Sequence, residues 1–345
     1  MVKNIAIVSL SRGILGEPFI KFELDLGIKR LNEYGINVKF MPHALSGLDY
    51  VKMHPEKRAE DLITAFRDDS IDMILCAVGG DDTYRLLPYL FEHDQLKQVV
   101  KQKIFLGFSD TTMNHFMLHK LGIKTFYGQA FLPDVCELCD EMLPYTRHYF
   151  EELITTGKIA KITSSPIWYE ARENFNEAEL SKCMPSHLNN GFELLQGNPI
   201  FEGKILGGCI DTIFDMFDNG RCTDSVKLCE KYELFPSAKE WKEHILLLET
   251  SEEKMSAQKY EKALKELKKR GVFDAVNGVL IGKPVNECNY QEYKKLLINI
   301  IDDPSIPIVC NLNVGHTTPR CIVPFNEHAV IDVNKQTITF AEFQN

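Results

Sequence analysis

Basic residues are in deficit in this chain: 39 Lys and Arg stand against 49 Asp and Glu, a formal net charge of −10. A groove for a nucleic-acid backbone needs Lys and Arg to neutralise phosphates, so the balance argues against nucleic acid as a partner. No apolar run approaches the ~20 residues of a membrane helix, which excludes a spanning segment of that kind. Cysteine is sparse, ten in 345 residues, too few for a disulfide scaffold. The opening Met1–Asn4 leads straight into Ile5–Leu10, an apolar run too short for an export signal. The cysteines are therefore expected as thiols in a cytoplasmic protein. Repeats and low-complexity linkers are also missing. What remains is 44% apolar and 26% charged residues, a globular composition whose length fits one large or two ordinary domains.

The first half alternates between two periods. Ile5–Leu10, Ile36–Met41, Ile71–Val78, Ile104–Phe108 and Lys124–Tyr127 read as strands. Between them, Leu24, Ile28 and Leu31 share one helix face ahead of Gly35, and Pro55–Phe66 reads as a second helix. Strands spaced by helices predict a doubly wound parallel α/β sheet, whose ligands gather beyond the carboxyl ends of the strands. Three loops lie there: Ser9–Gly16, Gly79–Asp82 and Ser109–Thr112. A charged helical stretch, Glu141–Lys158, closes a first domain over 1–158. Strand-like runs at 162–170, 201–206, 244–249, 276–281 and 306–312, with a helix bearing Tyr260, Ala263, Leu264 and Leu267, predict a second α/β domain over 159–345.

The sharpest local pattern is Gly107-Phe108-Ser109-Asp110-Thr111-Thr112, a buried strand running directly into a helix. A serine on such a turn holds its hydroxyl out at the sheet edge, beside free N–H groups that suit an oxyanion. Thr111 stands where the α/β-hydrolase elbow has its second glycine, and Ser109 and Asp110 read equally well as helix caps. Gly79-Gly80-Asp81-Asp82-Thr83 offers backbone N–H groups to an anion, or is a tight turn capped by acids. A serine nucleophile needs a base and an orienting acid. His316 lies in the polar loop Asn311–Pro319, and Glu249 ends the apolar run Ile245–Leu248. Glu252 and Glu253 read as ordinary helix N-terminal charges. His115 and His119, four apart, lack a third ligand and are assigned to packing or surface. Cys136-x-x-Cys139 lacks the second pair that a zinc site needs. Trp168, Tyr169 and Trp241 could offer a stacking surface, with core packing the simpler reading.

Taken in order, Val78–Asp82, Leu106–Thr112, Thr125–Gly128, Gly207-Gly208, Leu247–Glu249 and Val314–His316 resemble the LD-carboxypeptidase family of serine peptidases. The resemblance implies an N-terminal flavodoxin-like domain carrying the serine and a C-terminal domain carrying the other two triad members. The active site would then sit at the domain interface. It also implies nucleophile Ser109, acid Glu249 and base His316, with backbone oxyanion donors at Gly80 and Asp110. No metal or cofactor is implied. The implied substrate is a small peptide, as in the removal of terminal D-alanine from murein tetrapeptides, or an aminoacyl-nucleotide amide, as in the microcin C immunity branch. A homodimer is implied as well. Cys209 and Gly220-Arg221 depart from the family pattern in the presumed substrate region. A substrate carboxylate would need a cation, for which Arg320 and Arg85 are candidates, with Gly79 and Asp81 beside them. Two alternatives stay open: a nucleotide-binding kinase built on Gly79–Thr83, and a non-catalytic protein closing on a small ligand.

Overall fold

Five strands of the first half, β1 (Asn4–Val8), β2 (Asn37–Phe40), β3 (Met73–Cys76), β4 (Ile104–Gly107) and β5 (Thr125–Tyr127), form a parallel sheet in the order β2-β1-β3-β4-β5. They are seen in a computed structural model that describes residues 1–340. β3 is buried at all four positions, as an apolar strand must be when helices cover both faces of a parallel sheet. The strand order is flavodoxin-like, and the crevice at its switch point opens between the ends of β1 and β3.

The chain then builds β6 (Lys161–Thr163), β7 (Ile167–Tyr169), β8 (Ser186–Leu188), β9 (Glu193–Gln196), β10 (Ile200–Cys209), β11 (His244–Glu249), β12 (Gly278–Gly282), β13 (Ile308–Leu312), β14 (Val323–Phe325), β15 (His328–Asp332) and β16 (Thr337–Phe340). Eight of these make a second sheet, β6-β16-β15-β10-β11-β12-β13-β9, parallel from β10 to β13 and antiparallel toward both edges. β7 and β8 pair apart from it. β14 returns to the first sheet and pairs antiparallel with β5, so the halves share a strand as well as an interface.

Several expected elements differ in detail. The run 162–170 is two strands, because Pro166 has no N–H to continue a ladder and Ile167 joins a different partner. The helix expected from Asp110 begins as a 3-10 turn over Ser109–Thr111 and becomes α-helical over Thr112–Lys120. The amphipathic helix is present over Ala257–Lys269, with the Ser256 hydroxyl accepting the Lys259 N–H at its start. The expectation that all cysteines are thiols is corrected: Cys139 is disulfide-bonded to Cys183, and the other eight are free. Among the described residues, no helix is long and apolar enough to cross a membrane.

Candidate active site

β4 ends at Gly107, and two residues later Ser109 turns the chain with a φ of 65°, a left-handed conformation that side-chain-bearing residues seldom adopt. Local hydrogen bonds hold the turn. The Thr111 hydroxyl donates to the Phe108 carbonyl (2.8 Å) and the Thr112 hydroxyl to the Ser109 carbonyl (2.7 Å). The loop after β3 passes directly beside the nucleophile. A β-carbon on Gly79 would lie 2.6 Å from Ser109 Oγ, so only glycine permits the approach.

The three loops expected at the sheet edge do meet. The buried Asp110 carboxylate accepts hydrogen bonds through Oδ2 from the Ser11 hydroxyl (2.6 Å), the Thr83 N–H (2.9 Å) and the Thr83 hydroxyl (2.6 Å). Asp81 is exposed, but its N–H donates to Ser11 Oγ (3.0 Å). Asp82 turns inward onto the fully buried Arg58 (2.6 Å), whose guanidinium also donates to the Leu10 and Ser11 carbonyls. The acid that departs from a third glycine is thus the anchor of a buried ion pair, which removes the basis for a phosphate cradle at Gly79–Thr83.

The second sheet supplies the rest. Glu249 is the last residue of β11 and is buried. Its Oε1 accepts the Tyr127 hydroxyl (2.6 Å), and its Oε2 accepts the His316 backbone N–H (3.2 Å) and lies 2.7 Å from His316 Nδ1. His316 Nε2 lies 3.0 Å from Ser109 Oγ. The edge of the Phe108 ring packs on the imidazole at 5.1 Å. Ser109, His316 and Glu249 therefore form one line of hydrogen-bonding groups across the interface of the two sheets. Gly315, at φ 78°, packs so closely on Glu249 that a β-carbon would overlap its carboxyl group.

Two functional neighbours escape sequence reasoning. Tyr127 sits beside the turn because its register partner in β4 is Gly107. Its hydroxyl accepts the Ser109 N–H (3.2 Å) while donating to Glu249. Burial, then the Glu249 charge, raises its pKa well above the usual value, so it remains a donor. The second is Glu252, whose Oε2 lies 3.0 Å from His316 Nε2. This ion pair with His316 holds its carboxyl down to about 2. Burial by itself would lower the His316 pKa, but Glu249 and then Glu252 push it up to about 10.

The candidate carboxylate clamps are otherwise engaged. Arg320 is buried, donates to the Thr317 carbonyl (3.1 Å), faces Asp134 at 3.4 Å and lies over the Phe108 ring. Burial pushes Asp134 up to about 6 even against the pull of Arg320. Arg85 is partly exposed, with its Nε donating to the Tyr84 hydroxyl and NH1 3.9 Å from Asp82. Arg221, at the position noted as a departure, pairs with Asp215 at 2.5 Å and lies 4.0 Å from Glu253. The other departure, Cys209, brings its sulfur within 4.8 Å of ligand atoms on Glu249 and His316. Burial and then Glu249 raise the pKa of its thiol.

Elsewhere, His115 is enclosed with its ring nitrogens on Thr125 and Gly107, and His119 faces Asn326 (2.9 Å). Cys136 is buried against Gly27. Trp241 is core. Trp168 stacks on His187 at 4.5 Å with the Lys283 ammonium over its ring, on a strand whose next residue, Tyr169, donates its N–H to the Thr318 carbonyl two residues past His316.

Known proteins share this arrangement of sheets. Models of the LD-carboxypeptidase N-terminal domain and the LD-carboxypeptidase C-terminal domain match residues 5–128 and 202–331. An MccF-like protein from Streptococcus pneumoniae, solved in complex with AMP, is 62% identical, with a TM-score of 0.98 over 99% of both chains. The microcin C7 self-immunity protein MccF of Escherichia coli is 25% identical over 83% of this chain and 78% of its own. MccF solved in complex with aspartyl sulfamoyl adenosine has the same fold, at 23% identity and a TM-score of 0.79 over 99% of this chain and 97% of its own.

Proposed function

The chain belongs to the LD-carboxypeptidase family of serine peptidases, and from that premise we propose that Ser109, His316 and Glu249 carry out amide hydrolysis on aminoacyl-nucleotide substrates. The observation that carries the catalytic assignment is the unbroken line from Ser109 Oγ to His316 Nε2 (3.0 Å) and from Nδ1 to Glu249 (2.7 Å), with the serine on a left-handed turn. In this reading neutral His316 takes the Ser109 proton as Oγ attacks the amide carbonyl. Glu249 fixes the tautomer and balances the imidazolium that forms. The backbone N–H groups of Gly80 and Asp110 receive the oxyanion. Collapse of the tetrahedral centre breaks the C–N bond, and His316 returns the proton to the departing nitrogen. Water, deprotonated by the same ring, then releases the acyl group from Ser109.

The nucleotide half of the substrate is supported by the AMP bound to the 62%-identical relative. The second reading, removal of a terminal D-alanine, rests on the family description. It needs a cation for the terminal carboxylate, and Arg320, Arg85 and Arg221 each already face an acid, Asp134, Asp82 and Asp215. Incubation with an aminoacyl-sulfamoyl adenosine and, separately, with a diaminopimelate-D-Ala tetrapeptide tests the choice. We expect release of the free amino acid from the first and little alanine from the second; the opposite result overturns the substrate assignment. Ser109→Ala should lower kcat on the order of 10⁴-fold or more, and a smaller loss would remove Ser109 from the mechanism.

A further inference from the structure

His316 Nε2 has two partners at the same distance. Ser109 Oγ and Glu252 Oε2 both lie 3.0 Å away, yet the nitrogen carries one hydrogen or one lone pair. With a carboxylate on Nδ1 and another on Nε2, the ring is held as an imidazolium and has no lone pair for the serine proton. The charged and titratable groups around this ring are Glu249, with Tyr127 and Cys209 beside it; Glu252, which also feels Arg221; and Asp134, paired with Arg320. Of these, only Glu252 combines direct contact with freedom to move. The His316 side chain is 9% exposed and that of Glu252 71%. Glu252 stands in a tight turn closed by the Lys254 N–H on the Ser251 carbonyl, so its side chain can swing without disturbing a strand.

The neighbouring acids of this corner already have partners. Asp215 and Glu253 share Arg221, and Asp211 lies 3.8 Å from Lys259. Glu252 has the histidine itself as its cation. A ligand cation arriving beside Ser109 therefore meets a carboxylate that can exchange partners at little cost. An α-ammonium group lies two bonds from the carbonyl carbon that Ser109 would attack, which puts it within reach of that carboxylate.

We propose that Glu252 is the specificity-determining residue of this site: it caps His316 Nε2 in the free protein and transfers to the α-ammonium of an aminoacyl substrate, which uncovers the base. The substrate ammonium replaces the imidazolium as the carboxylate's counter-charge. The imidazolium then releases its Nε2 proton to water, and the neutral ring accepts the proton of Ser109. This rests on the hydrolase reading above and adds to it a substrate requirement, a free amino group on the carbon next to the scissile carbonyl.

The test uses two readouts on the full chain, for wild type, Glu252→Gln and the neighbouring control Glu253→Gln. Titration of the His316 ring by NMR needs no substrate. Glu252→Gln should move its midpoint down by at least one pH unit while Glu253→Gln leaves it in place; an unmoved midpoint overturns the capping contact. Hydrolysis is then compared for two aminoacyl-sulfamoyl adenosines that differ only in carrying an α-ammonium or a hydrogen. Wild type should favour the ammonium form by roughly 10- to 100-fold in kcat/KM, as a charge-assisted hydrogen bond allows. Glu252→Gln should bring the two within a few-fold, through a raised KM for the ammonium form and a higher kcat near neutral pH for the other. Undiminished discrimination in Glu252→Gln overturns the specificity role. Failure of wild type to cleave either compound overturns the aminoacyl-nucleotide reading on which this rests, while the NMR result still decides the contact.

Discussion

The nucleophile and its base are held by opposite means. On the first sheet, Ser109 is fixed by polar groups buried around it: Asp110 binds Ser11 and Thr83, and Arg58 binds Asp82 and two carbonyls. On the second sheet, Glu249 and His316 are brought together by the absence of side chains, with Gly282 and Gly315 letting backbone close onto the carboxylate. Polar anchoring is strong only while every partner is present, since a lone buried charge is costly. Close glycine packing is tolerant of charge and intolerant of volume. The two halves should therefore fail in different ways, stability first on the serine side and geometry first on the acid–base side.

Breaking the anchor should give the larger stability effect. Arg58→Met keeps much of the volume but leaves Asp82 buried and unpaired, a change worth about 3–5 kcal/mol. Chemical denaturation should show that loss, and the double change with Asp82→Asn should recover a good part of it. A loss below about 1 kcal/mol would mean that the loops stand without the ion pair.

Gly315→Ala tests the other side. The new methyl group would overlap the Glu249 carboxyl at a φ of 78°, so the carboxylate, and with it the imidazole, must shift. A displacement of about 1 Å is enough for roughly 10²-fold in kcat, whereas the backbone strain costs on the order of 1–2 kcal/mol. Steady-state kinetics beside thermal unfolding separates the two. An enzyme destabilised but fully active would place the glycine's role in folding alone.

How much of this contrast could be read from the residues alone differs between the halves as well. The first sheet was legible because β1, β3 and β4 are continuous apolar runs and its ligand loops follow them directly. Ser109 stood out because strand and helix meet there with no linker. Glu249 and His316 were visible as an acid closing an apolar strand and a histidine in a polar loop. Their meeting with Ser109 came only from the family resemblance, because it depends on the pairing of β14 with β5 and the docking of two sheets, which no local pattern encodes. β9 and β14–β16 are short and mixed in composition, and apart from the β15–β16 hairpin their partners lie far away in sequence. Tyr127 was hidden because a tyrosine ending a buried strand is ordinary, and only its register with Gly107 gives it a role. Glu252 resembles any charge near a helix start; what distinguishes it is a contact with His316, which follows another strand of the same sheet.

A third contrast distinguishes the halves by pH. On the serine side, among the described residues, no histidine hydrogen-bonds the buried carboxylates Asp82 and Asp110. On the acid–base side the folded state holds His316 as a cation with its pKa pushed up to about 10, while the unfolded ring titrates near its usual value of roughly 6.5. A group whose folded pKa is the higher one stabilises the fold fully below the unfolded value, and that contribution is lost as pH rises through the folded one. Stability should thus fall between pH 6.5 and 10. Buried thiols such as Cys76 and Cys310, whose pKa burial raises, add a decline of the same sign that begins nearer the usual thiol range. The difference between wild type and His316→Gln isolates the histidine. It should be greatest at pH 6 and shrink steadily toward pH 10, as followed by urea denaturation at each pH. A difference independent of pH would mean that the folded ring titrates where the unfolded one does, and that Glu252 does not cap it.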